Sequence, residues 1–301
     1  MKKNKDMKIA ASVLSLAAIG TLLYRKVAST NFGDIVIDSI PQKATDALRI
    51  ISFNLRYNND KAGSVKSRSK IVSAIIRQYS PDSFGVQEAT GKWMDILGES
   101  LGDKYAFVAT ARDDTGYESE RNAVFYLKDK YNLLDSGTIW LSETPQKENS
   151  KSFASNCTRI ATWAVLENRE SLQRYTHLNT HLDHIYESTR VKQAEVLIGK
   201  LTQLQAENKV ICTGDFNTYP TSEVYEKMTK FTNDTRASAI SSDTGVTFHN
   251  YGKFDYDNIG PIDYIFAPKS ATVHTHKIIR NTVKGMYPSD HYPIVADIVM
   301  E

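Results

Sequence analysis

Apolar positions recur along the chain with two periods, and each period predicts its own kind of element. Residues 48–55 form a dense β-like run. Residues 66–79 carry a helical spacing, with Val65, Ile71, Val72, Ile75 and Ile76 on one face, and Pro81 predicts the stop. A short strand is expected over 82–87 and a helix over 93–101. The middle is strand-rich, at 123–127, 133–141, 160–166 and 174–178. Residues 187–204 give the longest helix, with Val191, Ala194, Leu197, Ile198 and Leu201 on one side. A buried strand follows at 210–213, a helix near 222–231, and strands at 262–267, 272–279 and 294–300. Strands alternate with helices in each half and strand pairs lie between, which predicts a layered α/β or α+β domain and leaves its topology open.

The opening of the chain does not belong to this pattern. Residues 1–8 are basic and polar, residues 9–23 are apolar to weakly polar, and Tyr24-Arg25-Lys26 closes the run. A lysine-rich start before such a stretch is what a secretory signal or an uncleaved membrane anchor looks like, although fifteen residues is short of the about 20 needed to span a bilayer. Residues 1–29 are therefore expected as signal or anchor, placing the protein at a membrane or outside it. Residues 30–47 are expected as a linker, and 48–301 as the functional domain.

Composition sharpens the division. Of 301 residues 41% are hydrophobic and 24% charged, which excludes a disordered chain or a multi-span membrane protein; two cysteines exclude a disulfide scaffold. The net charge of +2 hides an asymmetry. Residues 1–29 hold six basic side chains against Asp6, a local +5, so the remainder carries 2 − 5 = −3. Proteins that grip a nucleic-acid backbone usually present a basic stripe, and the body has one lysine–arginine cluster, at 61–70.

Several apolar runs end in carboxylates, amides or imidazoles: Asn54 after Phe53, Glu88 after Gln87, His181 after Thr180, Asp215 and Asn217 after Gly214, Asp263 after Ile262, and Asp290-His291 before the last strand. Strand ends at a sheet rim are where side chains from distant sequence converge. Asp215 and Asn217 are two apart, so extended backbone points them the same way. A hard divalent cation needs one or two carboxylates and keeps its waters. Histidines beside acids suit proton transfer or phosphate neutralisation. Together they fit metal-assisted attack of water on a phosphate ester.

In this order the segments Phe53-Asn54-Leu55-Arg56-Tyr57, Gln87-Glu88, Asn179-Thr180-His181-Leu182-Asp183-His184, Gly214-Asp215-Phe216-Asn217, Ile262-Asp263-Tyr264-Ile265 and Ser289-Asp290-His291 resemble the motifs of the endonuclease/exonuclease/phosphatase superfamily. Within it the chain is most similar to a branch with bacterial and fungal members, through Arg112-Asp113-Asp114, residues 141–145 and residues 159–163; Ser119-Glu120 stands where that branch has Gly-Glu. The resemblance implies a four-layer α/β sandwich of two packed mixed β-sheets with helices outside and a site at one rim. It implies Glu88 as the main Mg²⁺ ligand, with Asn54 beside it and Mn²⁺ as a substitute. Asp215 would orient or deprotonate the attacking water and Asn217 hold the phosphate. His291 would bind phosphate or move a proton, oriented by Asp263 or Asp290. His181 would stabilise the transition state with Glu120 as its partner. Arg159 and His249 are expected to contact substrate.

The reading is a Mg²⁺-dependent phosphoesterase, expected as a monomer, acting on a phosphodiester or phosphomonoester. The low charge of the body favours a lipid or a small molecule such as a sugar phosphate over nucleic acid. The alternative is a membrane-tethered, non-catalytic binding protein that kept the fold. Degraded motifs would be its signature, and the six main positions are intact.

Overall fold

The computed structural model describes residues 35, 37, 40–58, 63–254 and 260–300, so the segment expected as signal or anchor lies outside them. Within the stretch expected as a linker, Ile37 is buried against the first helix and its amide donates to Gln78 Oε1 at 3.1 Å, so this part packs on the domain.

Period-two alternation decides which way each strand faces. In β1 (Leu48–Asn54), Ile51 and Phe53 join an apolar cluster under α1 (Val65–Tyr79) and α2 (Gly91–Leu101), while Ile50 turns to the opposite face. In β2 (Ser83–Ala89), Phe84 and Val86 join the same helix-covered cluster. Ser64 caps α1 by accepting from Ser67 N, and the helix ends on Ser80 in a left-handed conformation (φ 47°), where Pro81 predicts a stop.

β3 (Tyr105–Val108), β4 (Arg121–Leu127), β10 (Ser241–Ser242), β12 (Thr272–Ile278) and β13 (Ile294–Val299) complete a seven-stranded sheet of order β10-β12-β13-β1-β2-β4-β3. The other sheet has six strands. It contains β5 (Tyr131–Trp140), β6 (Ile160–Asn168), β7 (Arg174–His181), β8 (Lys209–Asp215), β9 (Asn233–Asp234) and β11 (Asp263–Ala267), in the order β5-β6-β7-β8-β11-β9. Its outer face packs Leu178, Val210, Cys212, Tyr264 and Phe266 against α3 (Glu187–Gln205) and α4 (Glu223–Phe231). Between the sheets lies a third cluster, which includes Ile50, Val124, Ile211, Ile265 and Ala296. Both sheets mix parallel and antiparallel pairs, so the domain is a four-layer α/β sandwich, helices–sheet–sheet–helices.

The inter-sheet face changes character along each strand. It reads Ile50-Ser52-Asn54 on β1, Tyr175-His177-Asn179-His181 on β7, Ile211-Thr213-Asp215 on β8 and, running the other way, Ala267-Ile265-Asp263 on β11. An apolar base therefore gives way to a polar end at one rim. The sequence pattern missed β3, β9, β10 and the one-turn α5 (Thr235–Ser238), all too short for a period to register.

Candidate active site

Strand register gathers the polar ends. Asn54 on β1 pairs in parallel with Gln87 on β2, beside Glu88. His181 on β7 lies opposite Asp215 on β8, and Asp215 lies opposite Asp263 on antiparallel β11. Glu88 and Asn217 adopt left-handed backbone (φ 58° and 50°), and the β2–β4 register shifts between Val86 and Ala89. A bulge of this kind re-aims a side chain where regular pleating would point it away.

Asp215 Oδ2 is the hub. Asn54 Nδ2 donates to it at 2.9 Å, His181 Nε2 lies 3.4 Å away and His291 Nε2 3.8 Å away. Asp215 Oδ1 accepts from the Asn217 amide at 2.9 Å. Asn54 Oδ1 accepts from Arg56 N, which fixes the amide so that Nδ2 bridges Asp215 and, at 3.1 Å, Glu88 Oε1. His291 Nδ1 donates to Asp263 Oδ2 at 2.9 Å. Asn217 Nδ2 donates to Leu182 O and to His181 Nε2 at 3.0 Å, so neutral His181 carries its proton on Nδ1, an atom with no partner among the described residues. Asp263 Oδ1 is likewise buried and unpartnered.

These contacts set the charges. Burial opposes protonation of His291, but Asp263 and then Asp215 outweigh it and raise its pKa to about 10. Burial, reinforced by Asp263, raises Asp215 to about 7, against the pull of His291. His181 is driven far below the usual imidazole range by burial, then by Arg159 and Arg112. The rim thus holds a cationic and a neutral imidazole around one carboxylate that titrates near neutrality.

At the rim, two groups could hold a cation. The ligand atoms of Asp215, Asp263 and His291 lie within 4.8 Å of one another, yet His291 Nδ1 is committed to Asp263, an arrangement suited to moving protons. Glu88 is 8% exposed and accepts only neutral donors, Asn54 Nδ2 and, at 3.0 Å, Tyr57 N. A nearly buried carboxylate with lone pairs to spare and no basic partner within salt-bridge distance among the described residues fits a hard cation such as Mg²⁺. Asn54 stands beside it as a donor to two carboxylates.

The structure brings Asn54, Glu88, His181, Asp215, Asn217, Asp263 and His291 together. It separates the two acids offered as partners of His291. Asp263 bonds the imidazole, whereas Asp290 faces Arg56, with Nε to Oδ2 at 3.4 Å. Glu120 is paired differently from expectation. Its Oε2 accepts from Arg112 at 2.7 Å, while His181 turns to Asn217, because a charge-assisted bond outcompetes one to a neutral ring. Burial and then the field of Glu88 raise the pKa of Glu120, which places it close to the site. Arg159 is 5% exposed, with no carboxylate within salt-bridge distance among the described residues and Nε unpartnered. His249 is buried, and its backbone amide donates to Asp290 O at 2.9 Å. It stacks on Tyr292 at 3.8 Å, and its Nδ1 accepts from Gly252 N.

Sequence reasoning missed Arg68. This side chain, inside the lysine–arginine cluster at 61–70, is buried over Trp93 and donates to the carbonyls of Leu55, Arg56, Tyr57 and Pro288. It ties the loop after Asn54 to the loop before His291, and Ser289 Oγ repeats the tie by donating to Asn54 O at 2.7 Å. A lone arginine on the apolar side of a predicted helix is the signal that could have found it.

Known proteins share this architecture. A 31% identical endonuclease/exonuclease/phosphatase from Bacteroides vulgatus superposes with a TM-score of 0.80, covering 85% of this chain and 99% of its own. A mannosyl-6-phosphatase from Bacteroides thetaiotaomicron is 27% identical with a TM-score of 0.78, covering 84% of this chain and all of its own. Nocturnin of Xenopus laevis is 26% identical over 263 residues, 77% of this chain, and the chain spans 64% of nocturnin's length. The sequence pattern of the Endonuclease/Exonuclease/phosphatase family matches residues 51–291, from β1 through the rim histidine. The chain therefore belongs to that family, whose members are hydrolases of phosphate esters.

Proposed function

We propose that the protein is a Mg²⁺-dependent phosphoesterase whose substrate is a small phosphorylated molecule of the sugar-phosphate type. The observation that carries this reading is the convergence of Glu88, Asn54, Asp215, Asp263 and His291 on one rim, with Asp215 poised near neutral pH and His291 held cationic. Two facts support the small substrate. The body outside residues 1–29 carries net −3, and the relative at 27% identity is a mannosyl-6-phosphatase.

Bound at Glu88, Mg²⁺, with Mn²⁺ as a substitute, supplies charge neutralisation for the phosphoryl oxygens. Asp215, held by the Asn217 amide and by Asn54, accepts the proton of the attacking water. Cationic His291, held by Asp263, donates toward a phosphoryl oxygen, and His181 Nδ1–H offers a second, neutral donor. Arg159 adds a nearly buried cation for phosphate. In this reading residues 1–29 bring the catalytic body to a membrane or through it.

A substrate panel tests the proposal: sugar phosphates, nucleotides, DNA, RNA, phosphoinositides and sphingomyelin, each with Mg²⁺ and with chelator. The expected result is phosphate release from a sugar phosphate that stops with chelator and in Glu88→Ala and His291→Ala. Cleavage of DNA or RNA in preference to monoesters would overturn the substrate class. Turnover that survives both substitutions, or none on any substrate, would overturn the enzyme.

A further inference from the structure

Beside the rim, a second set of ligand-type side chains meets. Cys157, in the loop before β6, and Asp183 and His184, just after β7, bring a sulfur, a carboxylate oxygen and an imidazole nitrogen within 4.8 Å of one another. None of the three belongs to the cluster around Asp215. Cys157 is a free, partly buried thiol and His184 is exposed.

Asp183 supplies an independent sign. It is fully buried, yet its oxygens accept only neutral donors: Ser155 Oγ at 3.0 Å and Asn156 N at 2.9 Å on Oδ2, and Ile185 N at 2.8 Å on Oδ1. Among the described residues no basic side chain lies within salt-bridge distance of it. Arg159 and Arg190 lie near it without pairing with it, and the three bonds lock its orientation while leaving one of its about four lone-pair sites open on Oδ1. Two guanidinium groups border the trio: Arg159 NH2 lies 3.3 Å from His184 Nδ1 and Arg190 NH1 donates to Asp183 O at 3.2 Å, while Arg112 is within electrostatic reach of Cys157.

We infer that Cys157, Asp183 and His184 form a binding site for a borderline-soft divalent cation such as Zn²⁺, separate from the Glu88 seat. The donor set decides the class: sulfur and imidazole select Zn²⁺ over Mg²⁺, which demands oxygen. On binding, the Cys157 S–H bond breaks, its proton leaves to water and the sulfur keeps the electron pair to form the metal bond. Tetrahedral ligation places donor atoms about 3.5 Å apart, so at most about 1 Å of closure is needed, which exposed His184 can supply by rotating inward and giving up its contact with Arg159. Water fills the fourth position. Occupancy sets a divalent charge beside Arg159 and draws His184 from it. Zinc is therefore expected to raise KM for a phosphate ester several-fold with kcat little changed, a consequence that alone rests on the phosphoesterase reading.

Cobalt titration of the full chain, in excess Mg²⁺, tests the site without reference to turnover. The expected result is a thiolate-to-cobalt charge-transfer band saturating at one ion per chain. It should vanish in Cys157→Ala, weaken at least tenfold in binding in His184→Ala, and persist in Glu88→Gln. No band, a band indifferent to Cys157→Ala, or one lost in Glu88→Gln would overturn the site. If the band behaves as expected and zinc leaves KM unchanged, the coupling to Arg159 is overturned and the site stands.

Discussion

Two polar clusters lie on the same inter-sheet faces, two residues apart along the same strands, and they differ in kind. The inner one is a seam through the sandwich. His177 Nδ1 meets Ser83 Oγ at 2.7 Å and Nε2 meets Thr213 Oγ1 at 2.8 Å; Thr213 and Gln87 both donate to Asn179 Oδ1. The outer one is the rim. Both histidine sets are buried, but His177 is pushed down to about 3 by burial alone, whereas His291 is raised to about 10 by Asp263 and Asp215 in spite of burial. His276, bonded to Thr235 Oγ1, repeats the seam's behaviour. Hydroxyl neighbours satisfy the neutral ring of His177 and leave it inert, whereas Asp263 and Asp215 charge His291; His181, 3.4 Å from Asp215 but opposed by burial, Arg159 and Arg112, stays neutral. Burial of a histidine therefore says little about chemistry. The charge of its partners and the atoms left unpaired, such as His181 Nδ1 and Asp263 Oδ1, say more.

The sharpest way to break this contrast is to exchange the outcomes. His291→Ala is expected to lower kcat by roughly 10²–10⁴-fold, the usual weight of a positioned proton donor, and also to cost about 3–5 kcal/mol, because it leaves the Asp263 carboxylate buried without its counter-charge. His177→Ala should cost stability and spare turnover. It strands Ser83 Oγ and Thr213 Oγ1 in the core and opens a cavity, costing about 2–4 kcal/mol, with kcat within about tenfold of wild type. If the His177 variant loses turnover and keeps stability, the division between seam and rim is wrong. Gly85→Ala extends the test, because a Cβ there would collide with Thr213 Oγ1 and Asn179 from the facing sheet. A loss of about 2–3 kcal/mol is expected, and an unaltered melting curve would mean that the seam is looser than its hydrogen bonds imply.

Next in size is a displacement of the pH profile. His291 has a raised pKa, so its protonated form is held through neutral pH and lost as pH rises through about 10; Asp215 gains its base form as pH rises through about 7. The pair titrates together, and a plot of kcat against pH should be bell-shaped, its rising limb at or below 7 because a cation at Glu88 favours the Asp215 carboxylate. Asp263→Asn removes the first carboxylate that raises His291. Its falling limb should move down by at least about one pH unit, a fall of about 1.4 kcal/mol in preference for the proton. A limb that stays in place would assign the proton to another group.

How much of this was legible in the sequence depends on the distance over which each feature is encoded. Strand ends announce themselves locally: an apolar run that stops at Asn54, Glu88 or Asp215 is visible in a few residues, and the order of such motifs carries the family resemblance that implied the fold class. Partner choice is encoded in register. Nothing near His291 distinguishes Asp263, 28 positions away, from adjacent Asp290, and only the pairing of β11 with β8 brings the former under the ring. Arg112 captures Glu120 for the same reason, through a loop that returns eight residues later to a guanidinium, and the expected bond to His181 never forms. Arg68 was hidden by its setting. Composition counts it as one of a basic run, and burial turns it into a clamp between two site loops.

The smallest expected effect lies at the seam's far end, and it asks whether charge there serves stability alone. Asp82 is buried at the start of β2, where Oδ2 accepts from Lys43 Nζ at 2.5 Å and Arg49 N at 2.8 Å, and Oδ1 from Lys130 Nζ at 2.6 Å and Tyr131 Oη at 2.9 Å. Burial works to raise its pKa, but Lys43 and Lys130 prevail and lower it. A carboxyl with a depressed folded-state pKa stabilises the fold above its unfolded value, about 3.9, and that contribution fades as pH falls through the lower folded value. Both lysines are partly exposed, so solvent screens the pairs and Asp82→Asn should cost only about 1–2 kcal/mol at pH 7. The difference from wild type should shrink in denaturation at pH 3, with kcat unchanged at neutral pH. A variant that folds as well as wild type yet turns over more slowly would show that the seam carries electrostatic influence from Asp82 to Glu88, at opposite ends of β2, and the separation drawn between an inert interior and a reactive rim would fall.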